Sequence, residues 1–280
     1  MRLYIISYFG DDRRDRRVQI HRDQLTWAHQ QGLDVYVVQQ QYDAADYDPN
    51  VTYIGDNQLR SPGGARNVAL RHFYESEQDW AIFADNDSTA LDTVEGQNWI
   101  ETFESIPYER LSRVECFQPV NGGRTPFNKR IRDDLKTYQN NLWFDRTPIL
   151  KGSFFVLKNL GKHHNVRIFQ EEEWICDPDS NAKIGMEDTR FGLELWQAGF
   201  SNYMLWNAKL NERGPSTWID PTNTRGNAVH AGKRYIANYF GLEWNEDKSR
   251  VKSYEPIYSR SNRPRTQIIP IHGEDDLFNW

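Results

Sequence analysis

Trp80-Ala81-Ile82-Phe83-Ala84 is a run of apolar residues that stops abruptly at Asp85-Asn86-Asp87. A short apolar run without polar alternation reads as a buried strand, and such a strand needs a sheet with cover on its faces. Two carboxylates one residue apart, where the strand gives way to Ser88 and Thr89, are placed to hold a hard divalent cation. Oxygen ligands suit Mg2+ or Mn2+, and an ion held by one or two carboxylates keeps positions open for phosphate oxygens. A solvated strand-end turn uses the same residue types, so the pair takes its meaning from its neighbours.

Those neighbours alternate in type. Leu3 to Tyr8, Leu33 to Gln39, Thr52-Tyr53-Ile54 and Ala81 to Ala84 read as strands. Val18 to Gln31 and the glycine-opened Gly63 to Tyr74 read as helices. This β-α-β-β-α-β order predicts an α/β fold with a mostly parallel sheet flanked by helices. Ligands in such sheets gather beyond the carboxyl ends of the strands, where Asp85 and Asp87 fall. At 280 residues the chain is near the upper limit for one core. We expect one domain over 1–244, a nucleotide-binding half at 1–110 and an acceptor half at 111–244. A charged, Pro-punctuated extension or tail follows at 245–280.

The 10 Trp, 14 Tyr and 14 Phe supply a core in an otherwise polar chain, and they also suit flat ligands. No apolar run approaches the ~20 residues of a membrane span, and the start at Met1 reads as a strand, not a signal peptide. Two cysteines, Cys116 and Cys176, make neither a disulfide framework nor a metal spacing. The expected location is therefore cytoplasmic. A net charge of -6 argues against a nucleic-acid binder driven by bulk charge. The positive charges nevertheless cluster at Arg13, Arg14, Arg16 and Arg17, at Arg124, Lys129, Arg130 and Arg132, and at Arg260, Arg263 and Arg265. Solvated loops or an anionic partner both account for such clusters.

Three further segments bear on chemistry. In Ser61-Pro62-Gly63-Gly64-Ala65-Arg66-Asn67 the glycines allow close backbone approach at a helix start, and Arg66 is placed for a charge-assisted contact to a diphosphate. Lys151-Gly152-Ser153-Phe154-Phe155-Val156-Leu157 is an apolar strand whose glycine admits either a ligand beside the backbone or a bulge. Glu187-Asp188 opens a helix carrying Phe191, Leu195 and Trp196, with Gly199 as its stop. Acidic residues there complement the helix dipole, and one so held is also a competent general base for a hydroxyl.

In order and spacing these segments resemble the GT-A glycosyltransferases, most closely the inverting family 2 type. The resemblance rests on Ala65-Arg66-Asn67, Asp85-Asn86-Asp87, Gly152-Ser153-Phe154, Glu187-Asp188 with Phe191, and Gly199-Phe200. It covers residues 1 to about 200. It implies a GT-A (Rossmann-like) fold and transfer of a sugar from a nucleotide-sugar donor, UDP-sugar first, with Mn2+ or Mg2+ as cofactor. It implies donor binding by Gly63, Gly64, Arg66, Asp85, Asp87 and Gly152. Asp87 is then the direct metal ligand, Asp85 reaches the metal or the ribose, and His230 is a candidate third ligand. Asp188 is the expected base and Glu187 the residue that orients a sugar, with the reverse assignment open. The chain departs from the family after its second strand, where Gln39-Gln40-Gln41-Tyr42 stands in place of an Asp-Asp-Gly-Ser type of segment.

The resemblance leaves the acceptor and the oligomeric state open. A hydroxymethylated base in phage DNA is one alternative acceptor, held by the arginine clusters. A non-catalytic carbohydrate- or nucleotide-binding module and a metal-dependent phosphodiesterase are alternatives of other classes.

Overall fold

A computed structural model of the chain describes residues 1–7, 14–91, 98–111, 114–121, 136–147, 150–163, 175–176, 183–184, 187–212, 224–246 and 250–252. In chain order the first half is β1 (Arg2–Ile6), α1 (Arg14–Gln30), β2 (Asp34–Gln40), β3 (Thr52–Asn57), α2 (Pro62–Tyr74), β4 (Trp80–Asp85), β5 (Ser88–Leu91) and α3 (Trp99–Glu104). There follow β6 (Cys116–Asn121), β7 (Lys136–Gln139), β8 (Leu142–Arg146), β9 (Phe154–Lys158) and α4 (Leu160–His163). The chain continues with β10 (Ile175–Cys176), β11 (Lys183–Ile184), α5 (Glu187–Gln197), β12 (Asn202–Glu212), α6 (Thr224–Tyr239), β13 (Trp244–Asn245) and β14 (Arg250–Val251).

The main sheet runs β3-β2-β1-β4-β9-β6-β12-β8-β7, with β5 paired to β12. The first four strands are parallel, as the β-α alternation predicts. The second half differs from a mostly parallel sheet: β9 runs antiparallel between β4 and β6, and β5 and β8 run antiparallel to β12. α1 connects β1 to β2 and α2 connects β3 to β4, whereas β7 and β8 form a hairpin across Asn140-Asn141, both at positive φ. Asn tolerates that conformation at little cost.

Local sequence explains the helix that matters most for the site. Ser61 caps α2 by accepting the Gly64 N–H at 3.0 Å, and Pro62 takes the first helical position, where its missing N–H is harmless. At the far end of α5, Gly199 adopts φ +86, and the Phe200 N–H returns to the Leu195 carbonyl.

The sheet is covered on both sides. On one face α1 and α3 bring Leu25, Ala28, Trp99, Ile100 and Phe103 against Ile82, Phe117, Phe144, Phe154 and Leu205. On the other, α2 and α5 bring Ala69, Phe73, Phe191 and Leu195 against Tyr4, Phe83, Phe155 and Leu157. Phe83 and Phe155 stack across β4 and β9 with centroids 5.0 Å apart. A third cluster joins Leu193 and Trp196 of α5 to Ile236, Phe240 and Val251, so residues 250–252 are tied to the domain. Among the described residues no helix is long and apolar enough to cross a membrane.

Candidate active site

Alternation along β4 decides where its last residue points. Phe83 faces α2 and α5, so Asp85, two residues on, leaves the sheet on the same side. There Arg66 of α2 donates from Nη2 to Asp85 Oδ1 at 2.8 Å and from Nη1 to Glu187 Oε1 at 2.6 Å. The Arg66 side chain is 4% exposed, that of Glu187 16% and that of Asp85 36%. Three elements distant in sequence thus meet on one guanidinium at the carboxyl end of the sheet.

Asp188, beside Glu187, has both oxygens engaged by backbone. Oδ2 accepts the Gly152 N–H at 2.9 Å and Oδ1 accepts the Thr189 N–H at 2.6 Å. The segment carrying Gly152 is itself fixed, since the Asp85 N–H donates to the Ser153 carbonyl and the Lys151 N–H to Gln118 Oε1. Burial raises the Asp188 carboxyl above the ordinary aspartate range and the charge of Glu187 adds to the rise; Arg66 and the two N–H donors oppose it. Burial likewise raises Asp85 to about 6; Arg66 opposes this, while Asp87 and Glu187 add to it. Burial alone would lower the Arg66 guanidinium, but the charges of Asp85, Glu187 and Asp188 outweigh it and keep the group ionised.

Gly152 has a steric role the sequence left open. A Cβ at this position would lie 2.5 Å from Arg66 Nη2 and 2.7 Å from Cζ. The guanidinium lies against the bare backbone and its two carboxylates hold it there. Gly152→Ala is expected to lose about 1–3 kcal/mol of stability, the usual cost of overpacking. Adding Arg66→Met should remove the clash, so the double variant in a denaturant titration should lose less than the two single losses added.

A second network supports the carboxylate turn from below. Gln24 of α1 donates to the carbonyls of Asp85 at 2.7 Å and Ser88 at 2.5 Å. Asn86, 7% exposed, donates to Ser7 Oγ at 3.4 Å, and Tyr42 donates to the same oxygen at 2.6 Å while lying 3.2 Å from His21 Nε2. Burial pushes His21 down to about 4, so it is neutral at physiological pH. The sequence held a signal for these residues. His21, Gln24, Leu25 and Ala28 recur at helical spacing and are the buried residues of α1, so two polar side chains sit on an inward stripe and require partners.

The other expected site residues are distributed as follows. Asp87 follows Asp85 in the same turn, and its Oδ1 accepts from Ser88 Oγ at 3.3 Å. Gly63 and Gly64 are buried in the first turn of α2, where the Gly64 N–H serves the Ser61 cap. Arg66, expected at a diphosphate, commits both terminal amino groups to carboxylates. His230 lies in α6, and its side chain falls outside the described residues. Arg14, in the first turn of α1, pairs with Asp43 at 2.8 Å and with Asp46. Arg13, the group from 124 to 132 and the group from 260 to 265 lie outside the described residues. Among the described residues, no three His, Cys, Asp or Glu side chains cluster as a metal site.

No family model and no curated protein sequence matches the chain. Solved structures do. GalNAc-T7 with UDP, GalNAc and Mn2+ superimposes with a TM-score of 0.53 at 12% identity, over 88% of this chain and 48% of that one. The chain therefore spans about half the length of that protein. S. aureus TarS 1-349 in complex with UDP-GlcNAc gives 0.48 at 14% identity, over 89% and 69%. The catalytic domain of Drosophila beta1,4galactosyltransferase 7 with xylobiose gives 0.38 at 14%, over 77% and 71%. The likeness to GalNAc-T7 shows the fold, and the chain has the GT-A fold expected from its motifs.

Proposed function

We propose that this chain is a metal-dependent inverting glycosyltransferase, moving a sugar from a nucleotide sugar, UDP-sugar first, to an acceptor hydroxyl. The observation that carries this reading is the convergence of Asp85, Glu187 and Asp188 around Arg66 at the carboxyl end of a GT-A sheet. GalNAc-T7, which shares the fold, is crystallised with UDP, GalNAc and Mn2+; that supports the donor class and the ion.

Asp188 takes the proton of the acceptor hydroxyl. The freed oxygen attacks the anomeric carbon on the side opposite the diphosphate, the bond from that carbon to the phosphate oxygen breaks, and the electron pair leaves with the nucleotide diphosphate. Configuration inverts because attack and departure are on opposite faces. A carboxyl with a raised pKa, fixed by two backbone donors, suits the base role. Glu187 orients the sugar while Arg66 holds Glu187 and Asp85 in register.

The carboxylate oxygens at the end of β4 fit a hard divalent cation. Asp87 would bind it directly, the Asp85 oxygen not taken by Arg66 would bind it or the ribose through water, and His230 is a candidate third ligand. When bound, such an ion supplies charge neutralisation to the leaving diphosphate.

Asp87→Ala tests the ion. The variant should fold as the wild type does, because a carboxylate at a strand end is not a core group, and should lose Mn2+-dependent binding of the nucleotide diphosphate. Calorimetry with Mn2+ and UDP reads this directly, and unchanged affinity would remove Asp87 from the ligand set. Mass spectrometry of products from a panel of nucleotide sugars then distinguishes transfer from simple donor binding.

A further inference from the structure

We infer that Trp143 and Trp206, together with Asp145, form a subsite that holds an inner sugar of an oligosaccharide acceptor; the inference rests on the glycosyltransferase reading above.

Register places the two indoles. β8 and β12 are antiparallel with Tyr203 opposite Arg146, Met204 opposite Asp145 and Leu205 opposite Phe144. One residue beyond the last of these pairs stand Trp206 and Trp143, whose rings stack with centroids 5.3 Å apart and 26° between planes. Phe144 and Leu205 are fully buried in the cluster under α1 and α3. By alternation Trp143 and Asp145 leave the sheet on the opposite face, the one covered by α2 and α5. That face carries Glu187 and Asp188. The register of β12 against β6 also shifts between Leu205 and Lys209, an irregularity of the kind that re-aims side chains beside functional sites.

Stacked cross-strand tryptophans alone could simply stabilise a sheet. Asp145 points to a ligand. It is 6% exposed; its Oδ2 accepts the Trp206 indole N–H at 2.8 Å, while Oδ1 is buried with no hydrogen-bond donor among the described residues. A buried carboxylate oxygen without a donor is costly, and native structures seldom leave one unexplained. Both tryptophans are only half-buried, and the backbone between them is fixed by Asn207, which accepts the Trp143 N–H at 2.6 Å. Flat apolar rings beside an unmet acceptor match a pyranose, which has apolar C–H faces and a rim of hydroxyl donors.

The spacing gives the length of the ligand. In the sheet, β12 lies two strands from β9, beyond β6, so Trp206 is roughly 10 Å to the side of the segment that holds Asp188, two inter-strand spacings. One sugar cannot occupy both places. An acceptor that presents its terminal hydroxyl to Asp188 and rests on the tryptophans has at least two or three sugar units.

The test uses the full chain labelled with 15N, the indole N–H signals of Trp143 and Trp206 being assigned from Trp143→Phe and Trp206→Phe. Binding glycans are first found on an array of linear and branched oligosaccharides, then titrated as a length series from the monosaccharide upward. We expect the two indole signals to shift with the longer members and not with the monosaccharide. Trp143→Ala and Trp206→Ala should each weaken binding about tenfold, the effect of truncating a well-packed aromatic anchor. Circular dichroism checks that they fold, and the phenylalanine variants serve if they do not. UDP with Mn2+ is titrated separately. If UDP binds but no glycan moves either indole signal, or if affinity is independent of chain length, the subsite is overturned and the transferase reading stands. Glycan binding without UDP binding would make the pair part of a sugar-binding module and overturn its role toward an acceptor.

Discussion

Asp188→Asn is expected to lower turnover about 10²–10⁴-fold, the range for loss of a general base. Binding of the nucleotide diphosphate should hardly change, because the missing interaction belongs to the transition state. The structure adds a secondary effect. Asp188 uses one oxygen for the Gly152 N–H and the other for the Thr189 N–H, and an amide retains only one acceptor. About 1 kcal/mol of stability should go with the lost bond, far too little to explain the fall in rate. The control is Glu187→Gln. Glu187 Oε1 is taken by Arg66 at 2.6 Å, so its loss should disturb positioning. If Asp188→Asn keeps near wild-type turnover and Glu187→Gln is inactive, the two roles are exchanged.

Arg66→Met should cause the largest loss of stability in the site. The guanidinium is 4% exposed between two carboxylates, and removing one member of a buried ion pair costs 3–5 kcal/mol when the other is left fully buried. Asp85 keeps 36% of its side chain in solvent, so about 2–3 kcal/mol at pH 7.5 is the expectation. The loss should depend on pH, and the sign follows from the carboxyls. Asp85 is already raised to about 6 and Asp188 is raised as well. Without Arg66 both rise further, so the folded variant holds protons that the unfolded chain has released. Its deficit is therefore greatest above pH 6 and shrinks as pH falls below that value, where the folded wild type and the folded variant both hold Asp85 protonated. Denaturant titrations at pH 4.5 and 7.5 read this directly. A deficit equal at both values would mean that the guanidinium stabilises by packing and not by charge.

Much of the first half of the fold was legible because its signals are local. The apolar run before Asp85 became β4 at Trp80–Asp85, and the glycine-opened helix became α2 at Pro62–Tyr74. α1 begins at Arg14, four residues before the expected Val18, because Arg14, Arg16 and Arg17 form its first turn. Charged residues on an exposed turn have no apolar period from which to read a helix. The antiparallel insertion of β9 between β4 and β6 was not legible. A fully buried strand reads the same in either direction, and Phe154 to Leu157 has apolar residues throughout.

The site divides along the same line. Asp85, Asp87, Glu187, Asp188 and Gly152 stood out in the sequence because each sits at an element boundary, where residue choice is sharply restricted. Arg66 also stood out, but its partners did not. Nothing local predicts that it reaches Glu187, 121 positions away, or that Gly152 must lack a side chain so that the guanidinium can lie against it. The pairing of Trp143 with Trp206 depends likewise on a register between strands separated by α5. Short-range pattern determined which elements form and what they carry at their ends, since strand burial and helix capping are settled within a few residues. Only the tertiary structure decided which charges neutralise one another and which oxygen lacks a donor among the described residues, because those depend on contacts the chain makes with itself across long separations.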